Sequence, residues 1–267
     1  MAIAARIAVQ NSKLSLMLDP AHFRTRNLSF ILKQPARNRV CVLIWVLSCV
    51  FISCSPTGPR PVTIFAAASL KETISELSNE FEKSGRKTQV QFDASSTLAR
   101  QIQQGALADV FITAAPEWLE SMRILDRFDW LSNRLVIVVP LNDKSSFRLR
   151  NMKSLALANE QVPAGKYARA AFAHLHVPIP ERTIYGSSVR DVLSIVAKGG
   201  AEAGVVYATD AATAPELGVA FTFPEESHPR IVYSVGLLRP EGKEFYDLLQ
   251  ARPEAATKHG FIDIRKQ

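Results

Sequence analysis

From residue 62 onward, apolar residues fall in short unbroken runs that alternate with stretches where they recur every three or four positions. Val62, Thr63, Ile64 and Phe65 make the first run, β-branched and aromatic, and predict a buried strand. Leu70, Ile74, Leu77 and Phe81 follow at spacings of four, three and four, which is one face of a helix. Between them lie Ala66, Ala67, Ala68 and Ser69, small residues that let another group approach the backbone. The alternation then repeats. A strand at 90–92 leads into a short helix at 95–105 that starts with hydroxyl residues and ends at Gly105. A buried strand at 108–115 ends in small residues, and Pro116 opens a helix carrying Trp118, Leu119 and Met122. Strands are predicted at 135–139, 155–158 and 231–238, and 203–211 reads as a strand running into a helix. Helices are predicted after Pro163, over 187–200 and around 245–249.

Alternating strands and helices indicate an α/β protein with mainly parallel sheets, in which ligands sit beyond the carboxyl ends of strands. The turns at those ends share one chemistry. Ser69, Ser95 and Ser188 stand at helix starts, and the VPAG loop at 162–165 feeds another. A helix start presents unpaired N–H groups and the positive end of a dipole, so each of these turns favours an anion. Ser69 with Glu72 also reads as a capping box, which by itself predicts only a stable helix. Recurrence favours the anion reading. No carboxylate, histidine or cysteine accompanies these turns, so they offer neutral donors and hold no free metal cation. Donors without acceptors favour a fully deprotonated oxyanion.

Charge and cysteine content change the picture mainly at the amino terminus. The net charge is +7, yet residues 1–54 hold seven of the 32 basic side chains and one of the 25 acidic ones, Asp19. The remainder is nearly neutral, which argues against a nucleic-acid partner. All three cysteines, Cys41, Cys49 and Cys54, fall in the same leader, leaving neither a disulfide framework nor a thiolate metal site beyond it. Residues 40–53 carry no charge and follow Arg37 and Arg39, the layout of a secretory signal and too short for a comfortable membrane span. Export to the outer side of the cytoplasmic membrane follows. Phe51-Ile52-Ser53-Cys54 is similar to a lipoprotein cleavage box, making Cys54 the candidate for acylation; cleavage nearby or an uncleaved anchor are the alternatives. Residues 1–36 carry no usable pattern, and Met17 offers an alternative start. Pro56, Gly58, Pro59 and Pro61 make a stiff link.

The blocks FAAASL (65–70), SSTLARQI (95–102), ADVFITA (108–114), VPAGKYA (162–168), VR (189–190), GVVY (204–207) and FPEESH (223–228) resemble the periplasmic molybdate-binding proteins of ABC importers. The resemblance spans nearly all of the chain from Pro61. It implies the two-lobed type II binding-protein fold, with lobe one at 62–135 plus 236–267, lobe two at 136–235, and crossing strands at 135–139 and 231–238 as the hinge. It implies that a tetrahedral oxyanion, molybdate or tungstate, is held by Ser69 and Ser95, by the backbone amides of Ala164 and Val189, and by the phenol of Tyr207. Ala114 is a further first-lobe candidate, and Ser188 either adds a contact or caps its helix. No cofactor is implied. The partner is a membrane permease, the protein is a monomer, and membrane attachment is only through the leader or a lipid.

About five to seven donors and several helix ends would then stabilise the dianion. Charge-assisted hydrogen bonds contribute ~1.5 to 3 kcal/mol each and helix ends ~0.3 to 2. Without the resemblance, Tyr207 reads equally well as a half-buried strand tyrosine. Arg100 and Arg190 read as surface or structural charges, and His174, His176, His228 and His259 as surface residues. A serine hydrolase using Ser69 or Ser95 lacks a G-x-S-x-G elbow and a placed histidine. Sulfate, phosphate or a small organic anion is the rival ligand. A transcriptional effector domain of similar fold is disfavoured by the export signal and the missing helix-turn-helix.

Overall fold

The computed structural model describes residues 60–264, so the apolar segment at 40–53, Cys54 and most of the linker lie outside the described residues. The first half of the chain runs β1 (Val62–Ala67), α1 (Lys71–Glu82), β2 (Thr88–Asp93), α2 (Ser95–Gln103), β3 (Val110–Thr113), α3 (Glu117–Glu120) and β4 (Asp126–Ser132). It continues through β5 (Leu135–Pro140), β6 (Ser154–Ala158), α4 (Pro163–His174), β7 (Arg182–Gly186), α5 (Val189–Ala197), β8 (Ala203–Tyr207), α6 (Ala208–Ala211) and β9 (Leu217–Thr222). The chain then returns through β10 (Val232–Leu237), α7 (Lys243–Ala251), α8 (Glu254–Thr257) and β11 (Ile262–Asp263).

These strands form two sheets, one ordered β11-β4-β10-β3-β1-β2 and the other β7-β6-β8-β5-β9. Both are mixed. The predicted parallel pairing holds where strand-to-helix turns recur, in β2-β1-β3 and in β7-β6-β8. The antiparallel partners are strands next to the crossings between sheets. β10 runs against β3 and β4, and β5 runs against β8 and β9. β5 pairs only in the second sheet and β10 only in the first, so the chain crosses at Asn133 and Arg134 and again at 223–231. Val232, Tyr233, Ser234 and Val235, assigned above to the second lobe, therefore hydrogen-bond in the first sheet.

The first sheet is buried on both faces, which is why β1 and β3 read as continuous apolar runs. Val62, Ile64 and Ala66 of β1 join the main core with Leu70, Ile74 and Leu77, while Phe65 points the other way to Phe111, Leu98 and Leu119. Phe81 of α1 meets Phe245 of α7 edge-to-face at 5.4 Å. In the second sheet, α5 lays Val192 and Val196 on β8 beside Gly204, whose missing Cβ leaves room for both valines. Strands β4, β7, β9 and β11 were not legible in the sequence pattern. β7, β9 and β11 are edge strands and β4 is next to an edge, so part of each faces water and its apolar alternation is diluted.

Candidate functional site

Every parallel strand of both sheets delivers a small-residue turn to the same region. β1 ends at Ala67 and enters a 3-10 turn, Ala68–Leu70, before α1 begins. Ser69 thus lies inside the turn, and its side chain caps nothing. Glu72, the other half of the expected capping box, turns away to Arg190. The Ser69 hydroxyl instead lies 2.9 Å from the hydroxyl of Tyr233 on β10.

Ser95 is likewise the first residue of α2 rather than its cap. Its Oγ accepts the Ala114 N–H at 3.0 Å, so its own proton is free to point elsewhere. That bond also occupies the amide of Ala114, whose carbonyl accepts from the Tyr167 hydroxyl of α4 at 3.1 Å. Ala114 therefore ties the end of β3 to both neighbours. Ser188, by contrast, is a true N-cap, accepting the Asp191 N–H at 3.2 Å.

On α4, Pro163 takes the first helical position and Lys166 is the first residue bonded back, to Val162, so Ala164 lies in the unpaired first turn. Val189 holds the matching place on α5, ahead of Val192, whose N–H returns to Ser188. Gly165 lets α4 start there. A Cβ on it would lie 2.2 Å from the Asn159 carbonyl oxygen and 2.4 Å from that of Ala158.

These turns border a small pocket of about 20 Å³ lined by Ser69, Ser95, Ala114, Ala164, Ser188, Val189 and Tyr207, with Ala67, Ala68, Ala94, Val162 and Pro163 completing the wall. All seven candidates from the sequence are thus brought together. No lining residue is charged. Ser69, Ser95, Ala164 and Tyr207 are each 2% exposed, so a guest here would be stripped of water.

Among the described residues the Tyr207 hydroxyl has no hydrogen-bond partner. Burial holds its pKa well above the ordinary value, which keeps it a protonated donor. An orphaned buried donor is costly, and a ligand would remove the cost. Its ring packs against Tyr233 at 6.1 Å.

Neither serine hydroxyl meets a histidine, which leaves the nucleophile reading without a base. His174 and His176 are exposed, His228 and His259 half-buried, and among the described residues no group of side chains is arranged to hold a metal ion. Arg100 is exposed. Arg190 does not enter the pocket; its guanidinium makes two bonds to Glu72, at 3.1 and 2.5 Å, and an ion pair with fully buried Asp210 at 2.5 Å. Burial pushes the Asp210 carboxyl up to about 7, against the pull of Arg190. Three residues around the site were not anticipated: Tyr167, Tyr233 and Asn133. Their hydroxyl and amide partners are 53, 164 and 76 positions away, a separation no local pattern reports.

Two α/β halves joined by two crossings, with a pocket of helix starts between their sheets, define a two-lobed solute-binding protein. From residue 62 to residue 262 the chain matches the bacterial extracellular solute-binding protein family, and it belongs to that family. The family is one of binding proteins, not of enzymes. The chain is 34% identical over 227 residues to the molybdate-binding protein ModA of Escherichia coli, covering 75% of this chain and 88% of the relative. It is 30% identical over 223 residues to ModA of Haemophilus influenzae, covering 74% and 86%. The solved periplasmic molybdate-binding protein of Azotobacter vinelandii shares the fold, with a TM-score of 0.65 and 19% identity over 75% of this chain and 98% of that one.

Proposed function

We propose that this protein captures molybdate or tungstate between its lobes and delivers it to the membrane permease of an ABC importer. One observation carries the reading. A buried pocket lined only by uncharged groups gathers two serine hydroxyls, two helix-start amides and an unpartnered tyrosine hydroxyl, Tyr207. That donor set suits a tetrahedral dianion, and the two relatives named for molybdate support the choice. Ser69, Ser95, Ala164, Val189 and Tyr207 are the binding residues in this reading. Ala114 positions Ser95, and Ser188 fixes the start of α5.

The lobes in this reading follow the two sheets, 62–132 with 232–264 and 135–222, and they close over the anion. The leader exports the protein, and Cys54 is the residue for a lipid anchor. No helix among the described residues is long and apolar enough to cross a membrane. Titration calorimetry on the purified protein tests the ligand. Tight molybdate and tungstate binding with weak or absent sulfate binding is expected, because size alone separates anions that each offer four oxygens. Sulfate bound as tightly as molybdate would replace this reading with a general oxyanion carrier.

A further inference from the structure

We propose that Tyr233 and Asn133 are positioning residues that lock the Ser69 hydroxyl as a donor toward the pocket; this rests on the anion site just described. The backbone N–H of Arg134 is an obligatory donor, and it bonds Asn133 Oδ1 at 2.9 Å. The amide of Asn133 is thereby fixed with its NH2 outward. That NH2 donates to Thr209 Oγ1 at 2.8 Å and to Tyr233 Oη at 3.3 Å.

Tyr233 is wholly buried, and with Asn133 donating to it, its own proton needs an acceptor. Ser69 Oγ, at 2.9 Å, is that acceptor. A phenol is also a stronger acid than an aliphatic hydroxyl, so it is the better donor of the two. Ser69 then has its lone pair engaged from behind, and its proton is left for the pocket that it lines. Ser95 is locked the same way by the Ala114 N–H. Both serines then have one lone pair taken and turn their proton to the pocket. A deprotonated oxyanion is satisfied by this arrangement, whereas hydrogen phosphate, which must donate one proton, meets serine protons already turned toward it and is disfavoured. Asn133 stands on the first crossing between the sheets, so the relay runs from that crossing to the pocket wall.

The test is a double-mutant cycle read by calorimetry with molybdate and with inorganic phosphate as probes. Tyr233→Phe keeps the ring and removes the donor; Asn133→Asp keeps the shape and puts an acceptor where the amide donated to Tyr233. Each is expected to weaken molybdate binding about five- to tenfold. Each is also expected to narrow the molybdate-to-phosphate ratio, since the Ser69 proton is then free to turn away from the pocket. In a Ser69→Ala background Tyr233→Phe should add less than about twofold, because its effect passes through Ser69. Full additivity in the cycle, or an unchanged anion ratio, overturns the relay while leaving the site in place. Unchanged molybdate affinity in Ser69→Ala alone overturns the anion site, and the relay with it.

Discussion

At the scale of single residues, the site separates hydroxyls that hold the fold from hydroxyls that await a guest. Ser69→Ala and Ser95→Ala are each expected to weaken molybdate binding by ~1.5 kcal/mol or more, about tenfold, the value of a charge-assisted hydrogen bond. Tyr207→Phe makes the sharper distinction. Its hydroxyl is buried with no partner, so removing it should leave the melting temperature of the ligand-free protein unchanged or raised while affinity falls about tenfold. A structural tyrosine would show the reverse, and thermal unfolding beside calorimetry decides between them. Ser69, Ser95, Ser188 and the VPAG loop were legible because small-residue turns recur after strands, whereas Ala114, Val189 and Tyr207 came only from the resemblance to molybdate-binding proteins. Their functions were less so: Ser69 reads as half of a capping box, yet the box does not form, because the 3-10 turn carries Ser69 past the cap position and Arg190 claims Glu72. Tyr233 carried no signal at all, being one aromatic in an apolar strand.

At the scale of elements, precision in the pocket depends on where helices begin. Gly165 sits where the first turn of α4 presses on the carbonyls of Ala158 and Asn159. Gly165→Ala is expected to displace that turn, lower stability by ~2 kcal/mol or more, and weaken anion binding through Ala164 next to it. Denaturant unfolding and calorimetry on the same variant would show both losses.

A second element-level device joins the strands behind the first sheet. Asp109, 1% exposed, takes two bonds from Arg60 at 2.7 and 2.8 Å and the Thr63 N–H at 2.8 Å, holding the entry to β3 against β1. Burial raises its pKa, but the Arg60 and Thr63 bonds outweigh that and hold the carboxyl below its usual 3.8. A carboxyl depressed in the folded state contributes stability that is complete above the unfolded value. That contribution is lost as the pH falls below 3.8 and through the folded pKa. Asp109→Asn should therefore cost ~1.5 kcal/mol near neutrality, the low end because Arg60 is open to water, and should flatten the acid limb of the melting temperature against pH.

For the whole molecule, what matters is how two sheets built from separate stretches meet over one pocket. Arg190 of α5 reaches Glu72 of α1 through a two-pronged bond, while Tyr167 of α4 reaches the Ala114 carbonyl at the end of β3. These bonds cross between the halves on either side of the site. Glu72→Gln is expected to speed molybdate release about fivefold, ~1 kcal/mol, by loosening a partly exposed clasp, and stopped-flow release kinetics would measure it.

The sequence by itself determined the alternation of strand and helix, the chemistry of the turns and the neutrality of the folded part. Those properties reside in periodicity and composition, which local physics dictates. Only the tertiary structure decided that seven such residues share one wall, which serine accepts from which neighbour, and where the chain changes sheets. Those depend on pairings distant in the chain, among them Ser69 with Tyr233 at 164 positions and Arg190 with Glu72 at 118, and no local pattern encodes a partner at that distance.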